Sequence, residues 1–246
     1  MDGRSRPHVP DLRADIARRT IKDMIGDKLI ALITSGILQV GDELPSEREL
    51  AAMLLVSRES VRGAVQALAA RGVVEVSHGA RTRVRKAHVL PEGETIVGAA
   101  AINRYDLAAV HGARLLIELA VVADAAEAID ADTLSVLERS LAKQADYMDD
   151  PLRFLICDKE FHVAVYRAAP NPLLADIVTS LYTYMLEHRR VAMAQPGAIA
   201  RSYEDHQAIF RGLRDRSREA VVEAFRRHII RIYETTVPLL GDRPAA

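Results

Sequence analysis

Asp158 and His162 stand four residues apart in the run Asp158-Lys159-Glu160-Phe161-His162. On a helix that spacing puts a carboxylate and an imidazole on one face, pointing the same way. Two later histidines sit beside apolar helix positions. His206 has Ile209, Phe210 and Leu213 around it, and His228 has Phe225, Ile229 and Ile232. Both are placed to face the interior of a helical bundle. One carboxylate and three imidazoles form an oxygen-and-nitrogen donor set for a divalent transition metal, with zinc the default and nickel or manganese open. The same spacings also fit four separate residues that meet only hydrogen-bond partners. Arg114 is a further candidate. A guanidinium projecting into an apolar bundle can clamp a carboxylate in two-pronged fashion, whereas Arg114 with Glu118 on a helix surface is an ordinary pair four residues apart. A metal-dependent enzyme would use such a site with open positions, yet no positioned general base stands out. A pure metal sensor would use the same four residues.

A second set of residues suits nucleic acid. In Leu44–Val74, Ser46 and Glu49 make a capping box that starts a short helix. Its apolar side is Leu50, Ala51, Leu54 and Leu55. Ser57 caps a second helix ending at Gly72, with Val61, Ala64, Val65 and Leu68 inward and Arg58, Glu59, Ser60 and Arg62 at its exposed start. This is the plan of a helix-turn-helix, whose second helix enters the major groove with its first residues. Val73, Val74 and Val76, a turn at His78-Gly79-Ala80, and Thr82 and Val84 alternating with Arg81, Arg83 and Arg85 then read as a β-hairpin wing.

These residues imply two domains, and 246 residues suffice for two cores. The first 90 residues carry 15 basic and 11 acidic side chains, leaving 18 and 23 for the remainder, so a basic lobe precedes an acidic one. That suits phosphate contact by the first lobe only. Residues 1–19 read as a flexible arm and 20–88 as a winged helix-turn-helix. Residues 89–104 form a linker around Pro91-Glu92-Gly93-Glu94. Residues 105–238 read as an all-α antiparallel bundle and 239–246 as a tail. The first domain opens with a helix over Thr20–Ser35, whose apolar stripe is Ile21, Met24, Ile25, Leu29, Leu32 and Ile33. Six bundle helices are expected, at 106–128, 133–149, 151–168, 172–194, 199–214 and 217–237. Asp132, Asp150 and Asn171 serve as N-caps, and short connections favour antiparallel neighbours. Residues 95–101 fit a short extra helix. The fold is thus mainly α with one small hairpin. No apolar run reaches the length of a membrane helix. The N-terminus does not read as a secretory signal, and the single Cys157 fits a reducing cytoplasm.

The first domain resembles the DNA-binding domain of GntR-type transcription regulators. The resemblance rests on Leu44-Pro45-Ser46-Glu47-Arg48, on Ser57-Arg58 with Arg62, and on the His78-Gly79 wing. It implies that Arg48, Arg58, Ser60 and Arg62 contact DNA and that His78 and Gly79 sit at the wing tip in the minor groove. Glu59 stands where threonine is frequent, which leaves base preference open there. The second domain resembles the FCD effector domain of the FadR-like branch, through Arg114 with Glu118, Asp158–His162, Asn171, His206 and His228. This resemblance implies a metal held by Asp158, His162, His206 and His228. It also implies Arg114 as a carboxylate-binding residue for a small organic or sugar acid, and it argues against fatty acyl-CoA. The chain departs from the family at Asp215-Arg216-Ser217, where glycine-aspartate is usual before the last helix. The expectation is a cytoplasmic homodimeric repressor on a palindromic double-stranded DNA operator, controlled by an acid bound beside a metal.

Overall fold

The computed structural model describes residues 20–76, 81–86, 102, 105–184 and 186–240, without the side chains of 184–188 and 240. The expected arm, the wing tip with His78 and Gly79, the linker motif at 91–94 and the helix at 95–101 lie outside the described residues.

Thr20 caps α1 (Ile21–Thr34) through a capping box with Asp23. Ile25, Leu29, Ile30, Leu32 and Ile33 are buried, but Ile21 and Met24, expected in the stripe, are exposed in the first turn. Helix α2 (Glu47–Leu54) starts at the expected Ser46–Glu49 capping box. Leu55 ends α2 in the left-handed region, at φ 56, and is exposed rather than part of the apolar face. Helix α3 (Arg58–Ala70) is capped by Ser57 and buries Val61, Ala64, Val65 and Leu68 against α1 and α2. Strands β1 (Val74–Glu75) and β2 (Arg83–Val84) pair antiparallel, Val74 opposite Val84 and Glu75 opposite Arg83. Glu43 bridges to Arg83 on the other side of β2. The loop ahead of α2 therefore tethers the wing, through Leu44 N to Thr82 O and Gly41 N to Val84 O.

The bundle comprises α4 (Leu107–Ala128), α5 (Ala131–Asp146), α6 (Pro151–Arg167), α7 (Pro172–Tyr184), α8 (Leu186–Met193), α9 (Ala198–Arg214) and α10 (Arg218–Leu240). The cap of α5 is Asp130, whose carboxylate accepts from Thr133 N at 2.7 Å. Helix α5 thus begins two residues before the expected start, and Asp132 falls in its first turn. Asp150 and Asn171 cap α6 and α7 as expected. The expected helix 172–194 corresponds to α7 and α8, with position 185 between them outside the description. The last helix passes Pro238 and reaches Leu240, beyond the expected end at 237.

Helix α4 packs along α10, α10 along α9, α5 along α6 and α9, and α6 and α7 close the circle around α4. The unusual turn at 215–217 has a physical remedy. Arg216 adopts φ 51, costly for a residue with a Cβ. Its guanidinium donates to Glu127 O at 2.8 Å and Ile129 O at 2.7 Å, satisfying carbonyls at the end of α4. Gly212 lets α9 meet α10, since a Cβ there would stand 2.9 Å from Val221.

Three ion-paired contacts join the domains. Lys28 of α1 meets Glu160 of α6. Arg153 Nη2 donates to Glu49 Oε1 at 2.9 Å. Arg190 of α8 donates through Nη1 to Ile37 O at 2.8 Å and holds both oxygens of Asp42. One contiguous apolar core runs from α1 to α10.

Candidate metal and effector site

Asp158, His162, His206 and His228 come together at the centre of the bundle, all buried, with one ligand atom of each within 4.8 Å of the others. Helix α6 supplies Asp158 and His162 one turn apart, α9 supplies His206 and α10 His228. Asp158 Oδ1 lies 3.3 Å from His206 Nε2 and 3.9 Å from His162 Nε2, and the latter two nitrogens are 3.2 Å apart. Donor atoms about 2.0–2.1 Å from one ion stand about 3.0–3.4 Å from each other, so the two separations to His206 match a shared metal and the 3.9 Å one is wider.

The opposite nitrogen of each ring is anchored. His206 Nδ1 lies 2.7 Å from Gln144 Oε1 of α5, which can only accept. His228 Nδ1 lies 3.4 Å from Asp205 Oδ2. His162 Nδ1 lies 3.2 Å from the Tyr166 hydroxyl, whose own proton goes to Glu118 Oε1. All three imidazoles therefore carry the proton on Nδ1, and the Nε2 lone pairs converge with Asp158 Oδ1. That is the arrangement by which outer partners orient metal-ligating histidines.

Electrostatics favour the deprotonated donor set. Burial pushes His162 well below the ordinary imidazole range and His228 down to about 3. Burial alone would raise the Asp158 carboxyl, but the Arg189 guanidinium beside it pulls the group well below its usual value. Tyr166 and Tyr182 are pushed well above theirs, by burial first and then by Glu118 and Asp158 respectively. They stay phenols and donate to those carboxylates.

Arg114 is buried but not free. Its Nε donates to Glu118 Oε2 at 2.8 Å and its Nη2 to Glu118 Oε1 at 3.1 Å. Burial opposes the Arg114 charge, yet Glu118 holds its pKa above the ordinary value. The pair is internal, not on the helix surface, and it leads through Tyr166 to His162.

Sequence reasoning missed Arg189. It is fully buried on α8, with Nη2 2.8 Å from Asp158 Oδ1 and 3.5 Å from His228 Nε2, and its guanidinium lies over the Tyr182 ring. Gln144 and Asp205 were missed as well. Asp205 adjoins His206 in the chain, a usable signal; Gln144 reaches the site from a distant helix and gives none. His111 stacks on Tyr233 with ring centroids 4.0 Å apart and is not one of the four clustered ligands.

At the other end of the molecule, Arg48, Arg58, Glu59 and Arg62 are exposed, Arg58 and Arg62 one turn apart on α3. The Ser60 hydroxyl is 2.8 Å from that of Ser57 and belongs to the cap of the helix. Arg81 and Arg83 pair with Glu43, and Arg85 with Glu75, so the basic side of the wing is partly neutralised.

Residues 109–231, half of the chain, match the FCD domain, and residues 21–84 match the bacterial regulatory proteins of the gntR family. The chain belongs to the GntR family. Its FCD domain fits the FadR-like branch, and as a GntR regulator it is a ligand-responsive, DNA-binding transcription regulator. The chain is similar to the HTH-type transcriptional repressor NanR of Klebsiella aerogenes, with 29% identity over 88% of this chain and 85% of that one. The NanR repressor of Edwardsiella tarda is 29% identical over 90% and 87%. Among solved structures, E. coli McbR/YncC shares the fold, with TM-score 0.51 and 18% identity over 87% of this chain and 98% of that one. The two NanR relatives are named repressors, which sets the enzyme reading aside. Among the described residues no helix is long and apolar enough to cross a membrane.

Proposed function

We propose that this GntR regulator is a cytoplasmic homodimeric repressor whose operator affinity is set by a small organic or sugar acid bound beside a divalent metal. The observation that carries the reading is the convergence of one ligand atom from each of Asp158, His162, His206 and His228 in a fully buried centre. His162 Nε2 and His206 Nε2 stand 3.2 Å apart; with both ring protons on Nδ1 their lone pairs would repel, and a cation between them would relieve that repulsion. Asp158, His162, His206 and His228 would hold the ion, zinc first, with nickel and manganese accepting the same donors. When bound, the ion supplies a Lewis-acidic anchor for a carboxylate.

The protein's own groups do the rest. Gln144, Asp205 and Tyr166 fix the ring orientations, and Arg114 with Glu118 fixes Tyr166. Arg48, Arg58 and Arg62 are the proposed DNA contacts on the front of the winged helix, with His78 and Gly79 at the wing. In a homodimer two such helices read the two halves of a palindromic operator. The repressor direction is supported by the NanR relatives. An acid that binds the DNA-competent and DNA-incompetent arrangements unequally suffices to regulate.

The double variant His206→Ala/His228→Ala tests the metal assignment. Elemental analysis of the purified protein should show metal in the wild type and next to none in the variant; full retention by the variant rejects this ligand set.

A further inference from the structure

Arg189 is the buried group that the proposed metal centre does not use. The side chain is fully buried, yet its Nε and Nη1 have no hydrogen-bond partner among the described residues. Only Nη2 is engaged, on Asp158 Oδ1 at 2.8 Å and near His228 Nε2 at 3.5 Å. Both of those atoms belong to the proposed metal ligand set. His228 Nε2 has a single lone pair, which a guanidinium N–H and a metal ion cannot share, and a guanidinium held on Asp158 Oδ1 sets its positive charge against a cation on the same oxygen, so the two oppose each other there.

Charge points the same way. Arg114, Glu118, Asp158 and Arg189 sum to zero, and Asp205, buried behind His228, adds one negative charge. Asp205 is answered by Arg227 and Arg231. A divalent ion added to this centre leaves positive charge in excess of the buried carboxylates, in surroundings where unbalanced charge is costly. An anion entering with the metal removes the imbalance. Released from Asp158, Nη2 and Nε present the two-donor edge that matches a carboxylate.

We propose that Arg189 competes with the metal ion for Asp158 and His228, and that the guanidinium displaced by the ion becomes the anion-binding group of the pocket, taking a carboxylate. This rests on the metal-and-acid reading above and assigns the acid's contact to Arg189, while the Arg114 fork stays on Glu118. Metal and carboxylate then bind with positive coupling, because the ion frees the group that receives the acid.

The test uses full-length wild type, Arg189→Gln and Arg189→Lys, with folding checked by circular dichroism. In zinc titrations against a chromophoric chelator, Arg189→Gln should bind zinc about tenfold tighter than wild type, because the competitor is gone. A merely structural role predicts weaker binding, and zinc binding no tighter than wild type overturns the competition. In the cobalt-loaded proteins, acetate should change the visible absorption of the wild type saturably. Arg189→Gln should need at least about tenfold more acetate. Arg189→Lys keeps the charge without the fork and should also be weakened; it carries the acetate test if the glutamine variant does not fold. Equal acetate response in wild type and variants overturns the role of Arg189 but leaves the metal-and-acid reading standing. No acetate response in cobalt-loaded wild type overturns that reading too.

Discussion

At the scale of single residues, the centre depends on which proton sits on which nitrogen. His162 and His228 are held neutral by burial, with folded pKa values below the unfolded value of 6.5, about 3 for His228. The unfolded chain therefore takes up protons first as pH falls. The stability these neutral rings contribute is complete above pH 6.5 and is lost progressively toward pH 3. Urea unfolding of the chelator-treated protein should show lower stability at pH 5 than at pH 7.5, and His228→Gln should flatten that difference. Arg114 gives a second prediction. Its partner Glu118 is fully buried, and removing one member of such a pair costs about 3–5 kcal/mol. Arg114→Leu should lose stability of that order in denaturant titrations; a loss under about 1 kcal/mol would mean that Glu118 is satisfied without it. Helical spacing and apolar neighbours marked Asp158, His162, His206 and His228 only as inward-facing candidates, and it was the FCD resemblance that joined them into one ligand set. Arg189 carried no such mark. It lies in a charged run, His188-Arg189-Arg190, where nothing local separates the buried arginine from one at a domain boundary.

At the scale of elements, α8 is the piece that touches both jobs. Arg189 turns into the Asp158–histidine cluster and Arg190, the next residue, holds Asp42 and Ile37 O in the loop before α2. The Arg190 hydrogen bond holds the Asp42 carboxyl below its ordinary range. That loop also supplies Glu43 and Leu44 to the wing, so a shift of α8 has a short path to the DNA-reading surface. Asp42→Asn should leave metal content unchanged while reducing the effect of metal and acid on operator affinity at least about twofold. Anisotropy titrations with and without ligand measure this, and an unchanged ligand effect would assign the coupling to the α6 contacts through Arg153 and Lys28. Element boundaries were largely readable from caps. Ser46, Ser57, Asp150 and Asn171 each bond the backbone N–H three residues on. The start of α5 was misread because Asp130 and Asp132 both suit a cap, and only the Asp130 bond to Thr133 N decides. The exposure of Ile21 and Met24 was unreadable because periodicity marks a face but not how far the neighbouring domain covers it.

At the scale of the whole molecule, a basic winged helix and an acidic bundle share one apolar core and three ion-paired contacts. The two-domain plan could be read from the chain, since capping boxes, the hairpin and the helical periodicity are local signals. How the domains meet could not, because Arg153–Glu49 and Arg190–Asp42 join residues more than a hundred positions apart. The central claim is that a metal-anchored acid alters DNA binding across this junction. The most direct measurement is operator affinity of zinc-loaded wild type and of His206→Ala/His228→Ala, with and without small carboxylic and sugar acids. An effective acid should weaken operator binding of the wild type by about 5–150-fold, the usual range of coupling between two sites, and leave the double variant unchanged. An acid that acts equally on both proteins would contradict the account.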